Sequence, residues 1–386
     1  MKKVLFVIPS FGHGGTNKSL WNFLSAYPHK DLDVHILCMG SKGPYREKFS
    51  LFHLLPECIP LSALEPFALS TAGDSIFKKA HKLFWKLLYK IFLRSNKERL
   101  FSYAAKKYKK DGYDVVVAFQ EGVATAFVAH IYAEKHIAWV RCDYSNYLRL
   151  AKKSEESEIY RHFNDIVCVS KYTANIFKSY YPDFSQNVHA VYNIIDADGI
   201  IAASKDTIKD PDFNNDLFTL VSVGRMDPVK RFRYIPSIAK AMRDNGCLFK
   251  WYIIGGGGTE TEEVKKKIKE FDVGEQVILL GERSNPYPYI ATADVLVCPS
   301  ITEACPNVVN EAKILHIPPI VADFPTAFEF VTSGENGLIL TIDEMSNALI
   351  NLYFNRNVLS DIRQGVGSFV YQNEEICEQL SRLLSK

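Results

Sequence analysis

A chain of 386 residues, 47% apolar and 23% charged, is long enough for two domains of ordinary size and carries no compositional sign of disorder. Its formal net charge of +2 excludes no class of partner. Eight cysteines, with no C-x-x-C pair and several inside apolar runs where a thiol behaves as a small hydrophobe, point to a reducing compartment and away from zinc.

The opening MKKVLFVIPSFGHGG reads as a first β-strand running into a glycine loop. Its apolar run covers only Val4–Ile8 before Pro9 and lacks the small-residue cleavage site of a signal peptide. No stretch approaches the roughly 18 consecutive apolar residues of a spanning helix, so the expectation is a protein not integral to a membrane. Further Val/Ile/Leu-rich runs follow at Val34–Cys38, Val115–Phe119, Ala138–Val140 and Ile166–Ser170. A second series takes in Leu217–Val223, Lys250–Ile254, Gln276–Leu280, Val295–Cys298 and Pro319–Ala322. Apolar strands alternating with segments of helical spacing predict parallel sheets covered on both faces. The class is α/β, and it is doubled: after the strand-like Val188–Tyr192 comes an Asp/Asn-rich stretch, with the break near Asp196–Asn215.

Between Ile76 and Lys110 twelve Lys/Arg residues face a single acid, Glu98. On a helical projection Phe77, Phe84, Trp85, Leu88, Ile91 and Phe92 share one arc opposite Lys78, Lys79, Lys82, Lys86, Lys90 and Arg94. Two readings stand together: docking on an anionic membrane surface, or a surface helix packed on the N-terminal sheet with its lysines solvated. No recognition motif accompanies the charge, so nucleic acid is not expected as a partner.

The motifs that carry chemistry lie mostly in the second half. LVSVGRMDPVKRF is a strand ending at Gly224 and Arg225, with Asp227 as the expected N-cap, Pro228 as the first helical residue and Lys230 in the first turn. A cation at that end of a helix is unfavourable unless an anion joins it, and Arg225 with Lys230 would offset a nucleoside diphosphate. In SITEACPNVVNEA, Pro306 is the expected first residue of a helix ending before Pro318-Pro319. The free amides of Asn307 to Val309 would form an anion site. Glu303 lies just outside that turn, and Glu311 shares a face with Asn307. Each carboxylate suits a pair of vicinal sugar hydroxyls; the plain alternative is a loop acid, a solvated helix residue and two surface cations. Neither PSFGHGGTNKSL nor IIGGGGTE completes a nucleotide fingerprint. The first is a flexible loop that lets backbone approach a ligand, and a dinucleotide site at Gly255–Gly258 is not expected.

Taken in order, GHGGTNKSL, VGRMDPVKRF, IIGGGG and ITEACPNVVNEA resemble the glycosyltransferases of family 4, as do DIVCVSKYTANIF with VHAVYNIID before the linker and ENGLIL late in the chain. The resemblance covers nearly the whole sequence. It implies the GT-B fold: two Rossmann-like parallel-sheet domains facing an interdomain cleft. Residues 1–196 would form the acceptor-binding domain and 197–368 the donor-binding domain, with a final helix over 369–386 packing back on the first.

By the same resemblance, Arg225 and Lys230 meet the donor diphosphate, Glu303 lies near the donor sugar and Glu311 on the ribose. The amides around Cys305, Pro306, Asn307 and Val308 surround phosphate and sugar, and Gly14 and Gly15 belong to a loop closing over the phosphates. Members often carry a histidine where AWVRCDY has Arg141. This places Arg141 on the acceptor side, open to a donor carboxylate, an acceptor phosphate or no ligand, with Asp143 as the nearest acid.

The expected reaction is retaining, metal-independent transfer of a hexose-type sugar from a UDP- or GDP-type donor to a saccharide or lipid-linked saccharide, in the service of cell-envelope polysaccharide. The donor is a substrate, and no cofactor is expected. The Asp-x-Asp pairs Asp31/Asp33, Asp196/Asp198 and Asp210/Asp212 read as turn and linker acids. The expected location is cytoplasmic, at the inner face of the cytoplasmic membrane if the basic segment docks there. A nucleotide-sugar epimerase and a catalytically silent sugar-nucleotide-binding subunit are the alternatives.

Overall fold

The computed structural model describes residues 1–12, 15–26, 31–40, 43–55, 97–151, 156–214 and 216–385. The chain forms two compact units, Met1–Ile194 with Glu374–Lys386, and Ile195–Asn373.

The first unit is built on a seven-stranded sheet in the order β3-β2-β1-β4-β5-β6-β7. Its strands are β1 (Lys2–Ile8), β2 (Leu32–Cys38), β3 (His53–Leu54), β4 (Tyr113–Ala118), β5 (Ala133–Val140), β6 (Asp165–Cys168) and β7 (Val188–Ala190). The second unit holds six strands in the order β10-β9-β8-β11-β12-β13. These are β8 (Phe218–Val223), β9 (Phe249–Ile254), β10 (Val277–Gly281), β11 (Val295–Cys298), β12 (Pro319–Ala322) and β13 (Leu338–Leu340). Every neighbouring pair is parallel. Val4 to Ile8 and Val295 to Val297 are essentially without solvent contact, which is why these strands read as unbroken apolar runs rather than alternating ones.

The strand order positions the chemistry. In each sheet the winding reverses once, between β1 and β4 and between β8 and β11. At such a reversal the loops leaving the carboxyl ends diverge, and a ligand fits between them. The loops at these two places include Pro9–Gly12, Gly224–Lys230 and Ser300–Pro306, drawn from the motifs singled out from the sequence. The two-residue β3, paired to β2 through His53 with His35 and Leu54 with Ile36, is too short to give a periodic signal.

Most of the basic segment, residues 76–96, lies outside the described residues. Its described end forms a helix, Lys97–Ala105, and a 3₁₀ turn, Lys106–Asp111. Phe101 and Tyr108 both pack edge-on against Phe127, while Lys106, Lys107, Lys109 and Lys110 are exposed. For these residues the arrangement is the packed surface helix with solvated lysines.

The C-terminal exchange falls between Asn373 and Glu374, five residues later than the sequence reading put it. The reason is local: the Asn373 side-chain amide brackets Ile195, donating to its carbonyl at 2.6 Å and accepting from its N–H at 3.1 Å. Phe369 lies over the Lys313 ammonium, Nζ 3.8 Å from the ring centroid. The last helix, Asn373–Ser385, then receives Lys2 Nζ on the Ser385 carbonyl and Lys135 Nζ on that of Leu383.

Lys313 is 3% exposed and has one carbonyl partner, Phe330 O at 2.6 Å. Burial pushes its ammonium down to about 8 from 10.5. Between those values the unfolded chain holds a proton that the folded chain has lost, so stability rises with pH across that window; below about pH 8 the full penalty is present. A shift of this size corresponds to on the order of 3 kcal/mol, offset in part by the Phe369 ring. Replacing Lys313 with Met is therefore expected to raise the melting temperature at pH 7 and to flatten the rise from pH 8 to 10. Thermal melts of both proteins across that range test this, and parallel curves would remove the role of the buried charge.

Candidate active site

Gly224 to Asp227 form the loop that leaves β8. The expected helix does not begin at Pro228. Instead Pro228–Lys230 is a single 3₁₀ turn, Arg231 takes a left-handed conformation at φ 54°, Phe232–Tyr234 is a second 3₁₀ turn, and the α-helix starts at Ile235. The break follows from burial of Phe232, 2% exposed, whose ring packs under Gly224. Asp227 makes no side-chain cap; its carboxylate pairs with Arg225 at 3.0 Å. A helix dipole consequently does not act on Lys230, and its position has another cause.

That cause is Glu303. Lys230 Nζ donates to Glu303 Oε1 at 2.6 Å, bridging the loops after β8 and β11, and the Ile301 N–H donates to the Val229 carbonyl at 2.8 Å alongside. Burial works against the ammonium, yet the negative field of Glu303 and the hydrogen bond to it hold its pKa above the ordinary value. Lys230 is thus a fixed positive charge. Ser300 Oγ donates to the same carboxylate oxygen at 2.7 Å, and Thr326 Oγ1 donates to the Glu303 carbonyl at 2.7 Å. Arg225 remains exposed at its tip, close enough for its charge to weigh on Lys230.

Pro306 stands at the N-cap of the helix Asn307–Ile314, one residue before its expected place, because ψ of 79° keeps it outside the helix. The anion site at this turn is narrower than the sequence suggested. Asn307 N–H donates to Cys305 O and Val309 N–H to Pro306 O, which leaves the Val308 N–H as the turn's amide without a backbone partner among the described residues. Val309 and Ala312 face the sheet. Glu311 is 3% exposed, so it is not a solvated helix residue; a carboxylate is rarely buried unless it is paired or hydrogen-bonded.

The glycine run after β9 has a packing role. A Cβ on Gly255, at φ +135°, would lie 2.0 Å from the Gly224 carbonyl oxygen, and one on Gly258 would lie 2.1 Å from Met226 backbone atoms. Two hydrogen bonds complete the contact: Gly224 N–H to Ile254 O at 3.0 Å, and Glu260 N–H to Met226 O at 2.8 Å. Backbone therefore lies on backbone beneath the loop that carries Arg225, and only glycine permits it.

In the first unit, the Asn17 amide donates to Ser10 O at 2.9 Å and Gly12 O at 2.7 Å, which fixes the near side of the glycine loop. Gly14 lies outside the described residues. Gly15 opens the helix Gly15–Ala26, and a Cβ there would meet nothing within 4 Å. Arg141 follows β5; its Nη2 donates to Asn193 Oδ1 at 2.6 Å, its guanidinium lies 4.5 Å over Phe119, and its backbone N–H donates to Glu121 at 2.8 Å. Asp143 opens the helix Tyr144–Ala151, accepting from Ser145 N–H and Oγ and from the Asn146 amide. Those bonds give it a capping duty. Of the linker acids, Asp196 caps the helix Ala197–Ala203 and Asp210 pairs with Arg283 at 2.7 Å.

Sequence reasoning passed over Ser300, Thr326 and the purpose of the glycine run. Ser300 stands three residues before Glu303, but no helix begins there, so its spacing announces no capping box. Thr326 reaches Glu303 from 23 positions away, and no local pattern announces such a contact.

Two family models match the chain: Glycosyltransferase Family 4 over residues 13–199 and Glycosyl transferases group 1 over residues 218–355. The chain is 25% identical over 348 residues, 89% of its length and 87% of the relative's, to N-acetylgalactosamine-N,N'-diacetylbacillosaminyl-diphospho-undecaprenol 4-alpha-N-acetylgalactosaminyltransferase of Campylobacter jejuni. It is 26% identical over 140 residues, 35% of this chain and 36% of the relative, to UDP-Gal:alpha-D-GlcNAc-diphosphoundecaprenol alpha-1,3-galactosyltransferase of Escherichia coli. Among solved structures, Anabaena Alr3699/HepE in complex with UDP and glucose superposes with a TM-score of 0.73 over the whole of both chains at 16% identity. With paired parallel sheets, motif loops at both reversal points and matching family models in both halves, this chain belongs to the family 4, group 1 glycosyltransferases of GT-B fold.

Proposed function

We propose that the protein transfers a hexose-type sugar from a nucleoside diphosphate donor, of the UDP class, to a hydroxyl of a lipid-linked saccharide, with retention at the anomeric carbon and without a metal. The observation that carries this reading is the Lys230–Glu303 pair, a fixed cation and a sugar-binding carboxylate joined at 2.6 Å across two loops. The acceptor class is supported by the diphospho-undecaprenol substrates named for the C. jejuni and E. coli relatives, and the donor class by the UDP held in Anabaena HepE.

In the reaction the bond from C1 to the phosphate oxygen breaks and a bond from C1 to the acceptor oxygen forms on the same face. The acceptor's proton passes to the departing phosphate, so no protein nucleophile is needed. Negative charge grows on that phosphate as the bond breaks. Lys230 and Arg225, with the Val308 amide, favour this state over the ground state, because they interact most strongly where charge develops. Glu303 and Glu311 accept from hydroxyls of the sugar and the ribose. Arg141, held by Asn193 and Phe119, meets an anionic group of the acceptor, for which the diphosphate of a lipid carrier is the natural candidate.

The test is incubation with UDP-glucose, UDP-galactose and their N-acetylated forms, with and without a polyprenyl-diphosphate-linked saccharide, followed by mass and NMR analysis. An elongated lipid with the donor's anomeric configuration is the expected product, formed at an unchanged rate in EDTA. Conversion of the donor alone into another nucleotide sugar would replace this reading with an epimerase. Binding without turnover would leave a silent subunit.

A further inference from the structure

We propose that Ser300 is a positioning residue that decides which oxygen of Glu303 faces the donor sugar; the inference rests on the donor site assigned above. Ser300 is 1% exposed, and its hydroxyl sits 2.7 Å from Glu303 Oε1. Lys230 approaches that same oxygen at 2.6 Å, and the Cys298 thiol stands beyond it at 3.9 Å. Oε1 is thereby saturated by one charged and one neutral donor. Oε2 has no hydrogen-bond partner among the described residues, and the Glu303 side chain is 14% exposed, a narrow opening rather than a solvated face. Thr326 fixes the Glu303 backbone through its carbonyl, so the remaining freedom is rotation of the carboxylate itself.

That rotation is soft. The last torsion of a glutamate has a broad, roughly two-fold profile, and Lys230 alone can bind either oxygen or straddle both. The Ser300 hydroxyl removes this degeneracy. It pins Oε1 on the protein side and leaves Oε2 as a preset acceptor for a sugar hydroxyl. Ser300 touches no substrate; its effect passes through Glu303 and concerns only the part of the ligand that Glu303 reads. The diphosphate, which meets Lys230 and Arg225, is indifferent to it.

Calorimetric titration of wild-type protein and Ser300→Ala with UDP, and with the UDP-sugar that the wild type turns over, tests the assignment. UDP affinity is expected to stay within about twofold, while the additional affinity for the UDP-sugar falls by about tenfold, the scale of one hydrogen bond to a charged group. Ser300→Thr, which keeps the hydroxyl, retains the preference. Ser300→Cys, close in shape but a much weaker donor, shows the same loss and serves if the alanine variant folds poorly. Equal weakening toward UDP and UDP-sugar, or no change toward either, overturns the role of Ser300 and leaves the donor site standing. Failure of the wild type to bind any UDP compound overturns both.

Discussion

Lys230→Ala is expected to lower turnover by about 10²-fold or more, the scale for losing one preorganised charge-stabilising donor. The ammonium is held charged by Glu303 despite its burial, so the wild-type site presents the cation without any change of protonation over the physiological range. The substitution also leaves the Glu303 carboxylate with Ser300 as its remaining close donor. A partly buried carboxylate deprived of its cation is costly, so some loss of stability accompanies the loss of rate, and a melting curve separates the two. Initial rates at saturating donor are the deciding measurement. If the variant turned over at the wild-type rate, Lys230 would have no part in the departure of the diphosphate, and the assignment of sugar transfer to this site would go with it.

Gly255→Ala is expected to lower the stability of the second unit by about 3–5 kcal/mol, combining overpacking against backbone with strain at an unfavourable φ. The neighbour it would strike is a carbonyl oxygen of Gly224, which has no rotamer to change. For a unit of this size that corresponds to a fall of roughly 10 °C in melting temperature. Because Gly224 directly precedes Arg225, UDP affinity should fall with it in whatever fraction stays folded. Gly256→Ala is the control: its Cβ would meet only Glu282 at 3.5 Å, an ordinary contact. Equal melting temperatures for the two variants would refute the close backbone packing.

How much of this was readable in advance depends on how local each signal is. β1, β4, β9 and β11 are buried on both faces, and that burial writes itself into the sequence as uninterrupted apolar runs at Val4–Ile8, Val115–Ala118, Trp251–Ile254 and Val295–Cys298. β3, with two residues, writes nothing. Pro306 was legible to within one position because proline is tolerated only at the edge of a helix. The helix expected at Pro228 was misread: Asp227-Pro228 is a sound start signal, but Phe232 has to enter the core, and a left-handed Arg231 turns it there. The dipole argument for Lys230 fell with that helix, while the residue's proximity to an acid and an anion site came from elsewhere. Glu311 illustrates the opposite case, since the sequence left open whether it was solvated and tertiary burial closed the question.

The sequence by itself determined the doubled α/β class, the parallel sheets and the family, because strand burial, helix-edge prolines and motif order are properties of short windows of chain. Only the tertiary structure decided that Lys230 is matched to Glu303, that Thr326 holds that glutamate from a further segment, and that Gly255 and Gly258 serve backbone packing. Each of these is a contact between residues far apart in the chain. Such contacts arise only when the strand order brings β8, β9, β11 and β12 side by side and their carboxyl-end loops converge, and no window of sequence encodes the distance across a sheet.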